Sequence, residues 1–204
     1  MSGVIAACIA ALARMASGPS VRWAGNTPCQ DQCIFFANHA SHLDFVVLWS
    51  VLPGELRART RPVAARDYWD ASHLRRFMAT RVFRAVLVDR AANLGQLRTQ
   101  LDQLIAALDA GNSLIIFPEG TRGSGQEIGP FKGGLDYLSR QRPDVDLVPV
   151  YLNNLHRIMP KGEFLPVPQL SRITFGPPLR LLPGESKAAF LARARDALES
   201  LKTS

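Results

Sequence analysis

The chain has 204 residues, of which 47% are apolar and 20% charged, so disorder is set aside and one α/β domain with an ordinary core is expected. Its formal charge is +7 and its pI about 9.9. That balance suits an anionic partner (nucleic acid, a phospholipid surface or a phosphorylated metabolite) and equally a basic soluble enzyme. Three cysteines, Cys8, Cys29 and Cys33, are too few and odd in number for a disulfide scaffold, which points to a reducing compartment.

The first segment, GVIAACIAALARMA, is apolar but broken by Arg14. It is shorter than the ~20 residues a spanning helix needs and lacks a basic signal-peptide start. It reads as a short helix within residues 1–18, either packed on the domain or lying in a membrane interface, with residues 19–204 as the main domain. CIFFA (33–37) reads as a strand and HLDFVVLWSVL (42–52) as a helix. RPVAA (61–65) is a strand, DASHLRRFMATRVF (70–83) a helix and AVLV (85–88) a strand. Then Leu94, Leu97, Leu101, Leu104, Ile105 and Leu108 fall at helical spacing, and Gly111 stops that helix. SLIIF (113–117), a Gly-rich loop, the helix GGLDYLSRQ (133–141) and the strands DLVPVYL (146–152) and RITF (172–175) follow. A last helix carries Phe190, Leu191, Ala194, Leu198 and Leu201 as its apolar stripe, and Pro160–Pro168 reads as a surface loop. Strand–helix alternation predicts a mostly parallel central sheet flanked by helices, in a single domain.

In such a sheet the chemistry lies beyond the C-terminal ends of the strands. NHASHLD (38–44) follows CIFFA, Asp89-Arg90 follow AVLV, and PEGTRG (118–123) follows SLIIF, so three polar turns can converge at one edge. His39 is a candidate base and Asp44, five residues on, a carboxylate able to fix its tautomer. The same residues also read as a capped helix start, Ser41 as N-cap with Asp44 three positions on, and the two readings are compatible. His42 is an alternative base without that partner spacing. In the later turn, Arg122 can grip a phosphate with its fork, Gly120 opens backbone N–H groups, and Glu119 can accept from a hydroxyl or orient Arg122. The plain alternative is a surface turn with an incidental ion pair. Arg90 and Lys132 can add charge to one pocket or simply be solvated.

Other chemistries fit less well. GSGQEIGPFKGG lacks the order of a P-loop, and no G-x-S-x-G elbow is present. Cys33 lies in an apolar run where a buried inert thiol is expected, so direct attack is favoured over a covalent acyl-enzyme. Cys29, Cys33 and His39 match no standard zinc spacing. Arginines are dense between Arg57 and Arg98, with Tyr68, Trp69, Phe77 and Phe83 interleaved, as on a nucleic-acid surface. No nucleic-acid-binding signature accompanies them.

Together and in order, these motifs resemble the 1-acylglycerol-3-phosphate acyltransferase (lysophosphatidate acyltransferase, PlsC-type) family. NHASHLD resembles its NHx4D block, RAVLVDR the second block, FPEGTRG the third, and FKGG with VPVYL the following lysine and fourth block, over about Trp23 to Leu179. The resemblance implies the glycerol-3-phosphate acyltransferase-like fold, an acyl-CoA or acyl-carrier-protein donor, a lysophospholipid acceptor, and no metal or other cofactor. By it His39 is the general base, Asp44 its partner, and Glu119, Gly120, Thr121 and Arg122, with Arg90 and Lys132, bind the acceptor phosphate. N–H donors near NHASHLD would stabilise the oxyanion. It also implies peripheral work on the cytoplasmic side of an anionic membrane, with no nucleic-acid partner. Members of that family often carry more N-terminal hydrophobic sequence; here Val4, Ile5, Ile9 and Leu12, with Arg75 and Arg76, are the expected lipid-facing groups. Another lysophospholipid acceptor, or lipid binding without turnover, are the alternatives.

Overall fold

In the computed structural model, residues 2–24, 31–41, 43–90, 93–123, 125, 127–154 and 171–202 are described. Cys29, His42 and the Pro160–Pro168 stretch lie outside these residues. In chain order the elements are α1 (Ser2–Ser17), β1 (Ser20–Trp23), β2 (Cys33–Ala37), α2 (Asp44–Val51), α3 (Gly54–Arg59), β3 (Thr60–Ala65), α4 (Arg66–Trp69) and α5 (His73–Phe77). A π-helical turn (Met78–Val82) and β4 (Val86–Val88) follow, then α6 (Leu94–Asp109), β5 (Ser113–Ile116), α7 (Gly134–Gln141), β6 (Asp146–Asn153), β7 (Arg172–Phe175) and α8 (Lys187–Ser200).

The strands form one seven-stranded sheet in the order β1-β7-β6-β2-β5-β3-β4, parallel except where β6 meets β7. Period-two alternation divides the buried strands between two layers. Cys33, Phe35 and Ala37 of β2 face α1, α2 and the π turn, whereas Ile34 and Phe36 face α6, α7 and α8. In β5, Ile115 points to the first layer and Leu114 and Ile116 to the second. A strand covered on both faces has no polar side to show, which is why CIFFA and SLIIF read as unbroken apolar runs.

Local signals set the helix ends. Asn93 accepts from the Gln96 N–H while the Gln96 side chain accepts from the Asn93 N–H, a full capping box opening α6. At its other end Gly111 takes φ +76° and donates to the Leu108 carbonyl, and Asn112 N–H reaches back to the Ala107 carbonyl, closing a Schellman turn. Pro149 is tolerated in β6 because its missing N–H faces the side where β7 has just ended, its carbonyl accepting from Gly176 N–H at 2.8 Å.

Three local expectations change. The helix expected over 70–83 is divided into α5 and the π turn, which closes with Phe83 N–H on the Met78 carbonyl. β1, α3 and α4 are additional elements. α1 packs on α2 through Ile5, Ala6, Ile9 and Ala10 and turns Val4, Cys8, Leu12 and Met15 outward. Ile5 and Ile9 therefore pack, half-buried, against the core, and Cys8 and Met15 complete the exposed stripe. Among the described residues no helix is long and apolar enough to cross a membrane.

Candidate active site

The turn after β2 is held from both sides. The Asn38 amide donates to the Leu152 carbonyl at 2.9 Å and accepts from the Leu152 N–H at 2.8 Å, so a side chain extends the β2–β6 ladder by one step. His39 follows. Its Nδ1 lies 2.9 Å from Asp44 Oδ2, and the same oxygen accepts from the N–H groups of Ala40 (2.7 Å) and Ser41 (2.8 Å). Three donors on a carboxylate that is 1% exposed fix its position at the start of α2. With the ring neutral, Nδ1–H donating to this carboxylate leaves Nε2 as the acceptor. The ring stacks on Phe117, centroids 4.2 Å apart, which fixes its plane. Asp44 thus holds the His39 ring and starts α2 at once, although Ser41 supplies only half of a capping box: its N–H binds Asp44, while Leu43 occupies the cap.

The turn after β5 clasps His39. Glu119, 7% exposed, accepts from the His39 N–H with Oε1 and from the Gly129 N–H with Oε2, both at 2.8 Å. Gly123 N–H closes on the His39 carbonyl at 2.8 Å, and Lys132 N–H on the Pro118 carbonyl at 2.8 Å. Gly120 sits at φ +71°, and a Cβ there would lie 2.7 Å from Lys132 Nζ, so the glycine makes room for the lysine to fold over the loop. The N–H groups of His39, Ala40 and Ser41 are all engaged in holding Glu119 and Asp44. Oxyanion donors expected from the described part of this turn are therefore already occupied.

A pocket of about 280 Å³ opens beside His39. Gly120, Arg122, Lys132 and Arg90 also line it, whereas Glu119 and Thr121 do not. Thr121 is exposed, and Arg90 is half-exposed and paired with Asp67 at 3.2 Å. The walls are apolar. Val63, Ala64 and Ala65 come from β3, Leu97, Leu101 and Leu104 from one face of α6, and Leu135 and Leu138 from α7. Sequence reasoning missed Tyr68 and Trp69, which line the pocket from α4, and Asn38, whose position beside His39 gave no hint of a partner in β6. A base aimed at an apolar slot with cations at its rim can deprotonate a hydroxyl next to an anionic group and hold a long hydrocarbon.

A family model described as "Acyltransferase" matches residues 20–153. The 1-acyl-sn-glycerol-3-phosphate acyltransferase of Limnanthes douglasii is 26% identical over 79% of this chain and 55% of its own length. The human 1-acyl-sn-glycerol-3-phosphate acyltransferase alpha is 28% identical over 70% of this chain and 48% of its own length. The chain spans about half the length of the curated relatives it matches. The crystal structure of the 1-acyl-sn-glycerophosphate acyltransferase PlsC from Thermotoga maritima has the same fold, with a TM-score of 0.76 over 98% of this chain and 78% of that one at 19% identity. Motifs, fold and family model agree, and the chain belongs to the acyltransferase family.

Proposed function

We propose that the protein transfers a fatty acyl group from a thioester, acyl-CoA or acyl-carrier protein, to the free hydroxyl of a lysophospholipid. The preferred acceptor is 1-acylglycerol-3-phosphate, which gives phosphatidate. One observation carries this reading: a His39–Asp44 pair faces an apolar pocket rimmed by Arg122 and Lys132.

In the proposed mechanism the acyl chain lies along Leu101, Leu104, Leu135 and Leu138, and the acceptor phosphate meets Arg122 and Lys132, with Arg90 contributing. His39 Nε2 takes the hydroxyl proton as the oxygen attacks the thioester carbonyl. Asp44 stabilises the imidazolium that forms. The tetrahedral intermediate collapses with cleavage of the C–S bond, and the thiolate recovers the proton from His39. Glu119 acts through the backbone: it anchors His39 and leaves the phosphate to the cations. The exposed α1 stripe of Val4, Cys8, Leu12 and Met15 suits a helix lying in a membrane interface, in keeping with peripheral work at a membrane.

The test is thiol release from palmitoyl-CoA and from palmitoyl-carrier protein, with and without lysophosphatidate, and identification of the lipid product. Release that depends on the acceptor and yields phosphatidate is expected. Release only with a different lysophospholipid would reassign the acceptor, and lipid binding with no release from either donor would overturn the transferase reading.

A further inference from the structure

The arginine-rich stretch between β3 and β4 has no task in the reaction. It starts at the pocket, where Tyr68 and Trp69 of α4 form part of the lining. Trp69 is anchored edge-on against Phe45 and Phe83, and Ala79, Val82 and Phe83 bury the far end of the segment. Between these anchors residues 70–74 are all exposed. Leu74 is 71% and Phe77 44% exposed, one helical turn apart on α5. Around them the Arg75 guanidinium lies 4.5 Å over the Tyr68 ring, and Arg76 reaches Asp70 only at 3.7 Å. Arg81 and Arg84 make no ion pair among the described residues, and Arg84 donates to the Ala58 carbonyl at 3.5 Å. The nearby carboxylates of Asp67 and Asp89 are engaged by Arg90 and Arg66.

An exposed leucine alone is ordinary. Two exposed apolar side chains on one turn, ringed by arginines with little counter-charge and bordered by a tyrosine and a tryptophan, match what a bilayer interface recognises. The apolar groups enter the acyl boundary, the guanidinium groups meet phosphates, and the amphipathic rings sit at headgroup level. We propose that α5 and the π turn form a docking surface for an anionic phospholipid bilayer, with Leu74 and Phe77 inserted and Arg75, Arg76 and Arg81 on the headgroups. Tyr68 and Trp69 connect that surface to the pocket, so a lipid acceptor passes from the bilayer to His39 along one side of the molecule. The purpose of the surface rests on the lipid-acceptor reading; the surface itself can be measured without turnover. An acidic protein would also match the arginines, but it gives no reason for Leu74 and Phe77 to be bare.

The experiment is sedimentation of the full chain with phosphatidylcholine vesicles and with vesicles that also contain phosphatidylglycerol. Binding to the anionic vesicles that weakens with salt is expected, and both Leu74→Ser/Phe77→Ser and Arg76→Glu/Arg81→Glu should weaken it at least about tenfold. Both variants should keep their thermal transition and their turnover of a dispersed short-chain acceptor. Leu12→Ser/Met15→Ser is the comparison on α1. Loss confined to that α1 variant, undiminished binding by the α5 variants, or Arg76/Arg81-dependent binding to an acidic carrier protein without vesicle binding would each overturn the proposal. Vesicle binding by a wild type without turnover would leave this surface standing and defeat the transferase reading instead.

Discussion

Glu119→Gln separates two roles that the FPEGTRG turn can play. Glu119 is almost completely buried, and each carboxylate oxygen accepts one backbone N–H at 2.8 Å, from His39 on one side and Gly129 on the other. Glutamine has the same outline but only one acceptor. If its oxygen stays on His39, its NH₂ confronts the Gly129 N–H, donor against donor. One charge-assisted bond worth about 1.5–3 kcal/mol is lost, and a part-buried N–H is left unmet for about 1 kcal/mol more. A destabilisation of about 3 kcal/mol lowers Tm by about 6–12 °C in a chain of this size. The loop also carries the proposed base, and a shift of about 1 Å in His39 would reduce turnover by about 10². Calorimetry with steady-state kinetics on lysophosphatidate reads all three quantities. Tm and kcat should fall together with the acceptor KM nearly unchanged. An unchanged Tm with a raised acceptor KM alone would refute the argument and assign the carboxylate to the substrate.

Asp44→Asn keeps the shape at the start of α2 but removes the charge that holds Nδ1–H and stabilises the imidazolium; kcat should fall by about 10²–10⁴, measured by thiol release. Gly120→Ala forces a Cβ into left-handed backbone and onto Lys132 Nζ, so the acceptor KM should rise and stability fall by about 1–2 kcal/mol. Leu138→Trp fills the apolar pocket, so preference should move from palmitoyl- to octanoyl-CoA in a direct competition assay. Glu185 is held down to about 2 by its hydrogen bonds from Arg193. A depressed carboxylate adds stability above its unfolded value near 4.5 and loses it as pH falls toward 2, so Glu185→Gln should flatten the acid unfolding curve between those limits.

What could be read from the chain were the elements whose pattern is local. β2 and β5 are continuous apolar runs because both faces are covered, and α6 shows its stripe because only one face is. What could not be read depends on partners far along the chain. β1 is four mostly exposed residues held by β7, some 150 residues later by register. Asn38 meets Leu152 across 114 positions, and Glu119 meets His39 across 80. No spacing within NHASHLD or FPEGTRG announces either contact, so Glu119 reads from sequence as a substrate ligand although its oxygens face backbone N–H groups. α1 is apolar nearly all round, so its sequence does not say which stripe is inside; packing on α2 chooses Ile5 and Ile9. Tyr68 and Trp69 look like members of a basic aromatic tract until the exit of β3 brings them to the pocket.

The account depends most on His39. Its imidazole packs on Phe117 and binds Asp44, yet the fold is anchored through its backbone N–H and carbonyl, which alanine retains. His39→Ala, assayed for lysophosphatidate-dependent thiol release from palmitoyl-CoA beside wild type, with thermal unfolding of both, is therefore the most direct test. A fall in turnover of about 10²–10⁴ with a nearly unchanged transition is predicted. Retained turnover in a folded variant would show that another group takes the proton and would contradict the mechanism.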